Sequence, residues 1–391
     1  MRLDDQQSNR LTLVKAIRRA EPVARTDLLA LTGLSAGTVS DLTGDLVARE
    51  ILVEERLPGS GRGRPRMQLR FNTERAHVVG AFAYPDGTVE VALVNLQGDK
   101  LFAMTKNYSA RPNSIEDYAA EFADLIQTVI AASPYRKKKI ACVSVGVDAF
   151  LDSHRGIVHW VQTFQPHPVP FAKIMRKRLR LPVLLDHTAN IVARAEHWFG
   201  AVPLDDFCLV ILGLGVGFGR YAAGMLRTGA HGMNPELGHT KIVPGGRMCL
   251  CGARGCLGMY ANAFGIVLQI TNARGLSLPS HWEMESTFAQ FAAEARRGEP
   301  IARQAFDDAG EMLGVALANH VNVSDPAHII LLGQIPDLVE LIAPAFQRGL
   351  DKNTLPGLAR RAAVEIRRFD ERSFFKGAAA MALEQLFPSL D

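Results

Sequence analysis

Between Glu236 and Gly258 one imidazole and three thiols fall within eighteen residues. The stretch runs Glu236-Leu-Gly-His239-Thr, eight further residues, then Cys249-Leu-Cys251-Gly-Ala-Arg-Gly-Cys256-Leu-Gly258. His239, Cys249, Cys251 and Cys256 make a Cys₃His set, the usual makeup of a closed, tetrahedral structural zinc site. Gly252 and Gly255 let so short a segment curl until all three sulfurs face one point. The alternative is that the cysteines are small buried hydrophobes. Three of the chain's five cysteines crowded beside glycines and a suitably placed histidine favour the metal.

At 391 residues the chain is too long for one ordinary core and suggests two or three domains. With 48% hydrophobic and 21% charged residues it has ample core material for a globular protein. No apolar run approaches the length of a bilayer span, so no membrane partner is expected. The opening residues are polar and acidic with no apolar stretch, which argues against a signal peptide. Five cysteines, three of them in metal spacing, fit a reducing cytoplasm and not a disulfide scaffold. Net charge is only +4, so any nucleic-acid site must come from local clustering.

Such clustering occurs in the first seventy or so residues. Leu11, Leu13, Val14 and Ile17 share one helix face between Leu11 and Ala20. A second short helix follows, with Thr26 as N-cap and Leu28, Leu29 and Leu31 turned inward. Thr32-Gly33-Leu34 reads as a tight turn. Ser35 then caps a third helix to about Arg49, with Val39, Leu42 and Leu46 on its buried face. Helix, short glycine-containing turn, helix is a helix-turn-helix, whose last helix enters the major groove. The residues expected to face DNA there are Ala36, Gly37, Thr38, Ser40, Asp41 and Thr43, with Ser35 at the cap. They are small, and their hydroxyls can bond to phosphates or base edges.

Ile51 to Glu55 and Met67 to Phe71 read as strands around a glycine-rich loop, the wing of a winged helix. From Arg56 to Arg70 there are five arginines and no acidic residue. Arg62, Arg64 and Arg66 within Gly61-Arg-Gly-Arg-Pro-Arg66 suit a narrow minor groove. A small docking bundle and a flexible solvated linker are the alternatives, but the two features together favour DNA.

From His77 the texture changes. Strands are expected at Val78–Ala83, Val89–Leu96, Ile140–Val147, Leu181–Leu185, Phe207–Leu212 and Ile329–Gln334. Helices are expected at Glu116–Ala132, Asn190–Phe199 and Gly310–Val323. Strands alternating with helices give an α/β fold. Gly213, Gly215, Gly217 and Gly219 follow one strand directly. That pattern suits either a phosphate-cradling loop or a tight β-turn.

At this point the residues resemble a known family. The Glu236-Leu-Gly-His239 element followed by Cys249-x-Cys251-Gly-x-x-Gly-Cys256 resembles the zinc and sugar signature of the ROK family of repressors and sugar kinases. The head ending in Gly-Arg-Gly-Arg-Pro resembles its NagC/Mlc-type regulator branch. The resemblance implies a winged helix-turn-helix over residues 1–72. It implies a two-lobed, actin-like α/β effector and oligomerisation domain over 73–391. It further implies a structural zinc, a sugar-like effector in a cleft between the lobes, and a homodimer or homotetramer on a palindromic double-stranded operator. The implied effector contacts are Glu236, His239 and His187.

Two family motifs are altered. The kinases' Asp-x-Gly-Gly-Thr phosphate loop aligns with Ala83-Tyr84-Pro85-Asp86-Gly87. Proline removes a donor N–H, and a carboxylate repels phosphate. The kinases' Asn-Asp pair, whose aspartate is the general base, aligns with His187 and Thr188, and Asp186 lies one step earlier. Thr188 cannot act as a base near neutral pH. No phosphoryl transfer is therefore expected. The family's Cys-x-Glu carboxylate is replaced by Gly258, which alters the sugar site as well. Two competing readings are a sugar kinase with a DNA-binding appendage and a regulator controlled by a protein partner.

Overall fold

The computed structural model describes residues 5–56, 67–84, 87–107, 114–135, 139–161, 167–202, 204–280, 283–358 and 361–386. The head opens with α1 (Asp5–Ala20), β1 (Val23–Ala24), α2 (Arg25–Thr32) and α3 (Ala36–Ala48). It closes with β2 (Leu52–Arg56) and β3 (Met67–Phe71). The strands form an antiparallel sheet in the order β1-β3-β2. Leu13, Val14, Ile17, Leu28, Val39, Leu42 and Leu46 meet in one core, as their 3–4 spacing requires. Gly33 takes φ +69° between α2 and α3 and closes the turn by donating to the Leu29 carbonyl.

Three details of the head differ from the sequence reading. Ala24, not Thr26, stands at the N-cap of α2, with no side-chain bond. Leu31 is 57% exposed, because the short α2 buries only the face that carries Leu28. Thr43 is fully buried, donating to the Val39 carbonyl and accepting from Arg25 Nε, so it cannot face DNA.

The body repeats one topology twice. The first sheet is built from β4 (His77–Ala83), β5 (Thr88–Val94), β6 (Lys100–Asn107), β7 (Ile140–Val147) and β10 (Val183–His187), with β8 (Phe150–Asp152) and β9 (Ile157–Trp160) forming a separate hairpin. The second is built from β11 (Phe207–Leu212), β12 (Val216–Ala222), β13 (Met225–Leu226), β14 (His328–Gly333) and β15 (Ala363–Arg368). Their orders, β6-β5-β4-β7-β10 and β13-β12-β11-β14-β15, correspond strand for strand. In each, three antiparallel strands are followed by two parallel ones. The inner strands β7 and β11 are almost wholly apolar because helices cover the sheet.

Helices α4 (Ile115–Ala132) and α5 (Phe171–Leu179) pack with the first sheet around Phe122, Ile126, Phe171 and Met175. The Ser114 side chain caps α4 by accepting from the Asp117 N–H. Helices α7 (Ala263–Ala273), α8 (Met284–Arg296), α9 (Pro300–Ser324) and α10 (Leu338–Asn353) pack against the second sheet. Two helices join the lobes: α6 (Thr188–Phe199), leading from β10 toward β11, and α11 (Arg372–Leu386), returning from β15 to pack under β4 and β7. They cross so closely that a Cβ on Gly377 would lie 2.0 Å from the Ile191 carbonyl oxygen. Among the described residues no helix is long and apolar enough to cross a membrane.

Candidate functional site: a metal cluster, a cleft and a reading head

A 3-10 turn, Leu237–His239, follows Glu236, and a bridge between Lys241 and Cys256 brings the two halves of the cysteine-rich segment together. One ligand atom from each of His239, Cys249, Cys251 and Cys256 lies within 4.8 Å of all the others. His239 Nδ1 is 3.7 Å from Cys249 Sγ, and the sulfurs of Cys251 and Cys256 are 3.6 Å apart. A tetrahedron with metal–sulfur bonds of about 2.3 Å has edges of about 3.8 Å. The donor set therefore fits a tetrahedral metal ion. Gly255, at φ +81°, lies so close to the Val243 carbonyl that a Cβ would come within 1.8 Å of its oxygen. Only glycine permits the fold-back that carries Cys256 into place.

The electrostatics suit such an ion. Burial holds the His239 imidazole below its usual pKa, against the pull of Glu236, which keeps it in the neutral, ligating form. Burial also pushes the Cys249 thiol up to about 12, a penalty that a bound cation removes. Lys241, which the sequence reading did not single out, places its ammonium 3.0 Å from Cys256 Sγ. That hydrogen bond raises the lysine pKa and supplies positive charge beside a thiolate. Trp160 was also missed. Its ring centroid lies 6.0 Å from that of His239, and no local pattern ties residues on β9 to the cluster.

Further polar groups surround the same turn. Glu236 accepts from Asn234 Nδ2 at 3.0 Å, and its carbonyl accepts from the His239 N–H. Asn234 is 4% exposed, and its Oδ1 has no hydrogen-bond partner among the described residues. Ser153, following β8 of the first lobe, donates to the Gly232 carbonyl through both its N–H and its hydroxyl. This segment of the second lobe is thus pinned to the first. His187 caps α6, its Nδ1 accepting from the Ala189 N–H at 3.2 Å, which leaves Nε2 as the protonated nitrogen. His187 and the Glu236 turn each border β12. A Cβ on Gly217 would sit 3.6 Å from His187 Cε1, and one on Gly238 would sit 3.1 Å from Val216 Cβ.

The altered motifs have definite local structures. Thr188 is 2% exposed with its hydroxyl unpartnered. Asp186 accepts from the His187 N–H and Asn190 Nδ2 and is paired with Arg194 at 2.6 Å, so its carboxylate is committed to these partners. Ala83 ends β4, and beyond it the Tyr84 N–H donates to the Thr88 carbonyl and the Gly87 N–H to the Tyr84 carbonyl. Pro85 and Asp86 lie outside the described residues. Gly258 rests against Gly238, where a Cβ would come within 3.3 Å of the carbonyl oxygen. Gly213 to Gly215 form a tight turn between β11 and β12, with the Gly213 N–H donating to the Gly215 carbonyl. The glycine run thus closes the hairpin between β11 and β12.

In the head, Ser35 caps α3, its side chain accepting from the Thr38 N–H at 3.1 Å, and the two hydroxyls lie 2.8 Å apart. Thr38 is half-buried. Ala36, Gly37, Ser40, Asp41 and Gly44 are exposed. The N-terminal half of α3 therefore presents a low, polar surface of the kind that fits a major groove. Arg62, Arg64 and Arg66 lie outside the described residues.

The profile of the ROK family matches residues 87–385. The xylose repressor of Caldicellulosiruptor bescii is 26% identical over 386 residues, covering 97% of this chain and 96% of its own length. The DNA-binding transcriptional dual regulator NagC of Escherichia coli is 23% identical, over 94% of this chain and 90% of its own. A solved ROK family transcriptional regulator, a homolog of the Escherichia coli Mlc protein, superposes with a TM-score of 0.81 at 23% identity over 98% of both chains. A ROK family glucokinase from Streptomyces griseus, solved with glucose and AMPPNP, superposes with a TM-score of 0.62 at 25% identity. It covers 78% of this chain and 99% of its own.

Proposed function

The chain belongs to the ROK family, and from that premise we propose that it is a DNA-binding transcriptional regulator. In this reading it represses genes of carbohydrate uptake or breakdown, and a sugar-like effector sets its hold on DNA. Residues 1–72 are the DNA-binding head and 73–391 the effector and oligomerisation body. The observation that carries the reading is the Ser35-capped helix α3, with Ser40 and Asp41 exposed on a small-residue face. It sits in a head that precedes the family-matched residues 87–385. Relatives named as repressors align along nearly the whole chain, whereas the glucokinase covers 78% of it.

His239, Cys249, Cys251 and Cys256 hold a structural Zn²⁺ that stiffens the turn bearing Glu236. Glu236, His239 and His187 supply the polar contacts to the effector. Ser35, Thr38, Ser40 and Asp41 read or approach the groove, with Arg62, Arg64 and Arg66 contacting the backbone or minor groove. The protein works as a homodimer or homotetramer on a palindromic operator in the cytoplasm. It does not transfer phosphoryl groups. Thr188 stands where a base is needed, Asp186 is committed to Arg194, and the amides of Tyr84 and Gly87 are used within their own turn.

The experiment is selection of duplexes from a random-sequence library by the full-length protein. Enrichment of a two-fold symmetric site, with half-sites one turn apart or a multiple of it, supports the reading. Recovery of unselected sequence only contradicts it.

A further inference from the structure

One partly buried chain of polar groups, outside the metal cluster, runs from the N-terminus of α6 to the head. Asp186 Oδ1 accepts from the N–H of His187, a proposed effector contact, at 2.7 Å and from Asn190 at 2.9 Å. Its other oxygen pairs with Arg194 at 2.6 Å. Arg194 Nε donates to Glu384 Oε2, on α11, at 2.8 Å. Glu384 Oε1 accepts from Trp198 Nε1 at 2.9 Å and from the Tyr221 hydroxyl at 3.2 Å. The Lys15 ammonium of α1 lies 6.0 Å from the Trp198 ring centroid and donates to the Gly224 carbonyl at 2.6 Å. Arg18 stacks on Phe199, the last residue of α6.

Helix α6 thus carries His187, a proposed effector contact, at its N-cap, and its C-terminal end seats the head, about 18 Å away at 1.5 Å per residue. Glu384 joins the two ends through Arg194 and Trp198. A carboxylate that only filled space would not need three donors from two further elements. We propose that Glu384, with Arg194, is a positioning residue that transmits the state of the cleft to the DNA-reading head. When the cap of α6 shifts, Asp186 pulls on Arg194, and Glu384 carries the shift to Trp198 and the seat of Lys15. This deepens the regulatory reading above and rests on it for its biological sense, though its test does not.

The test is a double-mutant cycle read by hydrogen exchange on the full-length protein, in the amides of Leu13 to Arg19. Asn190→Ala perturbs the cleft end by releasing Asp186, and Glu384→Gln weakens the relay while keeping its shape. Asn190→Ala is expected to speed exchange in α1 by about threefold or more in the native background, the scale for residues sharing one ion-pair network. In the Glu384→Gln background it should add little. An equal acceleration in both backgrounds, or none in either, overturns the proposal, because a merely structural Glu384 gives additive effects. If Asn190→Ala does not fold, His187→Ala perturbs the same end by removing the cap. DNA selection with the same proteins separates the two readings. Its failure throughout would sink the functional reading while leaving the exchange result intact.

Discussion

Arg19, on the first helix of the head, places its guanidinium 2.9 Å from the Asp205 carboxylate just before β11 of the body. Asp205 is 56% exposed in its side chain, so solvent screens the pair. Removing it with Arg19→Ala should cost no more than about 0.5 kcal/mol. Lys15, four residues earlier, is half-buried, and burial lowers its pKa. Its ammonium answers the Gly224 carbonyl and lies 6.0 Å from the Trp198 ring centroid. Lys15→Ala should cost about 1–2 kcal/mol through lost packing and an unanswered carbonyl. Urea unfolding of the two variants checks the order, and a larger loss for Arg19→Ala would contradict this account of the head's seat.

Glycines on two helices should respond with opposite signs. A Cβ on Gly377 meets the Ile191 carbonyl at 2.0 Å, and backbone cannot give way cheaply. Gly377→Ala should destabilise by on the order of 3 kcal/mol. Gly44, within α3, has nothing within 4 Å of its Cβ position. Gly44→Ala should stabilise by up to about 1 kcal/mol, the difference in helix propensity. Denaturant midpoints of the pair decide the matter.

Acid should loosen the seat of the head. His197 lies there with its side chain fully buried, Nδ1 2.8 Å from the Leu204 carbonyl and Nε2 without a partner. Burial, helped by the charge of Lys15, lowers its pKa from 6.5 to about 4. The folded state therefore resists a proton that the unfolded chain accepts below pH 6.5. Stability is fully present above that pH and falls as pH drops toward about 4, by roughly 3 kcal/mol in order of magnitude. His320, lowered to about 4 by burial and Arg220, adds a loss in the same window. His197→Gln should flatten the slope between pH 6.5 and 4, since it removes one of the histidines held below their usual pKa. An unchanged slope would assign the acid sensitivity elsewhere.

Metal removal should unfold the turn that carries Glu236. Cys249→Ser is expected to abolish stoichiometric zinc and to cost on the order of 3 kcal/mol, since loss of a metal is among the mechanisms with large effects. Elemental analysis with thermal melting in the presence of a chelator reads both. A chelated protein with an unshifted melting temperature would contradict a structural role.

Local chemistry was legible in the sequence, and long-range chemistry was not. The strands Ile140–Val147 and Phe207–Leu212 have the bounds their apolar runs suggest, because strands buried on both faces need nothing beyond composition. Ser35 caps the helix it was assigned, since a cap acts within three residues. The metal ligands converge because glycine spacing is itself local. Thr43 was misplaced because its partner, Arg25, reaches it across the helix pair. Lys15 and Arg19 look like an ordinary solvated face until α6 is laid against them. Arg194 and Glu384 are 190 positions apart, so no pattern could pair them. The strand-for-strand repeat of the two sheets was likewise visible only as two separate α/β sets.

The central claim is that one chain couples sequence-selective DNA binding to a sugar-like ligand. The most direct measurement is titration of the full-length, zinc-loaded protein onto its selected duplex. It should be run at fixed salt, with and without a panel of D-xylose, D-glucose, N-acetylglucosamine and their phosphates. The account predicts tight binding without ligand and a weakening of about tenfold or more with one member of the panel, the scale of an allosteric coupling energy. DNA affinity indifferent to every sugar, together with ADP release from ATP and a hexose, would contradict it.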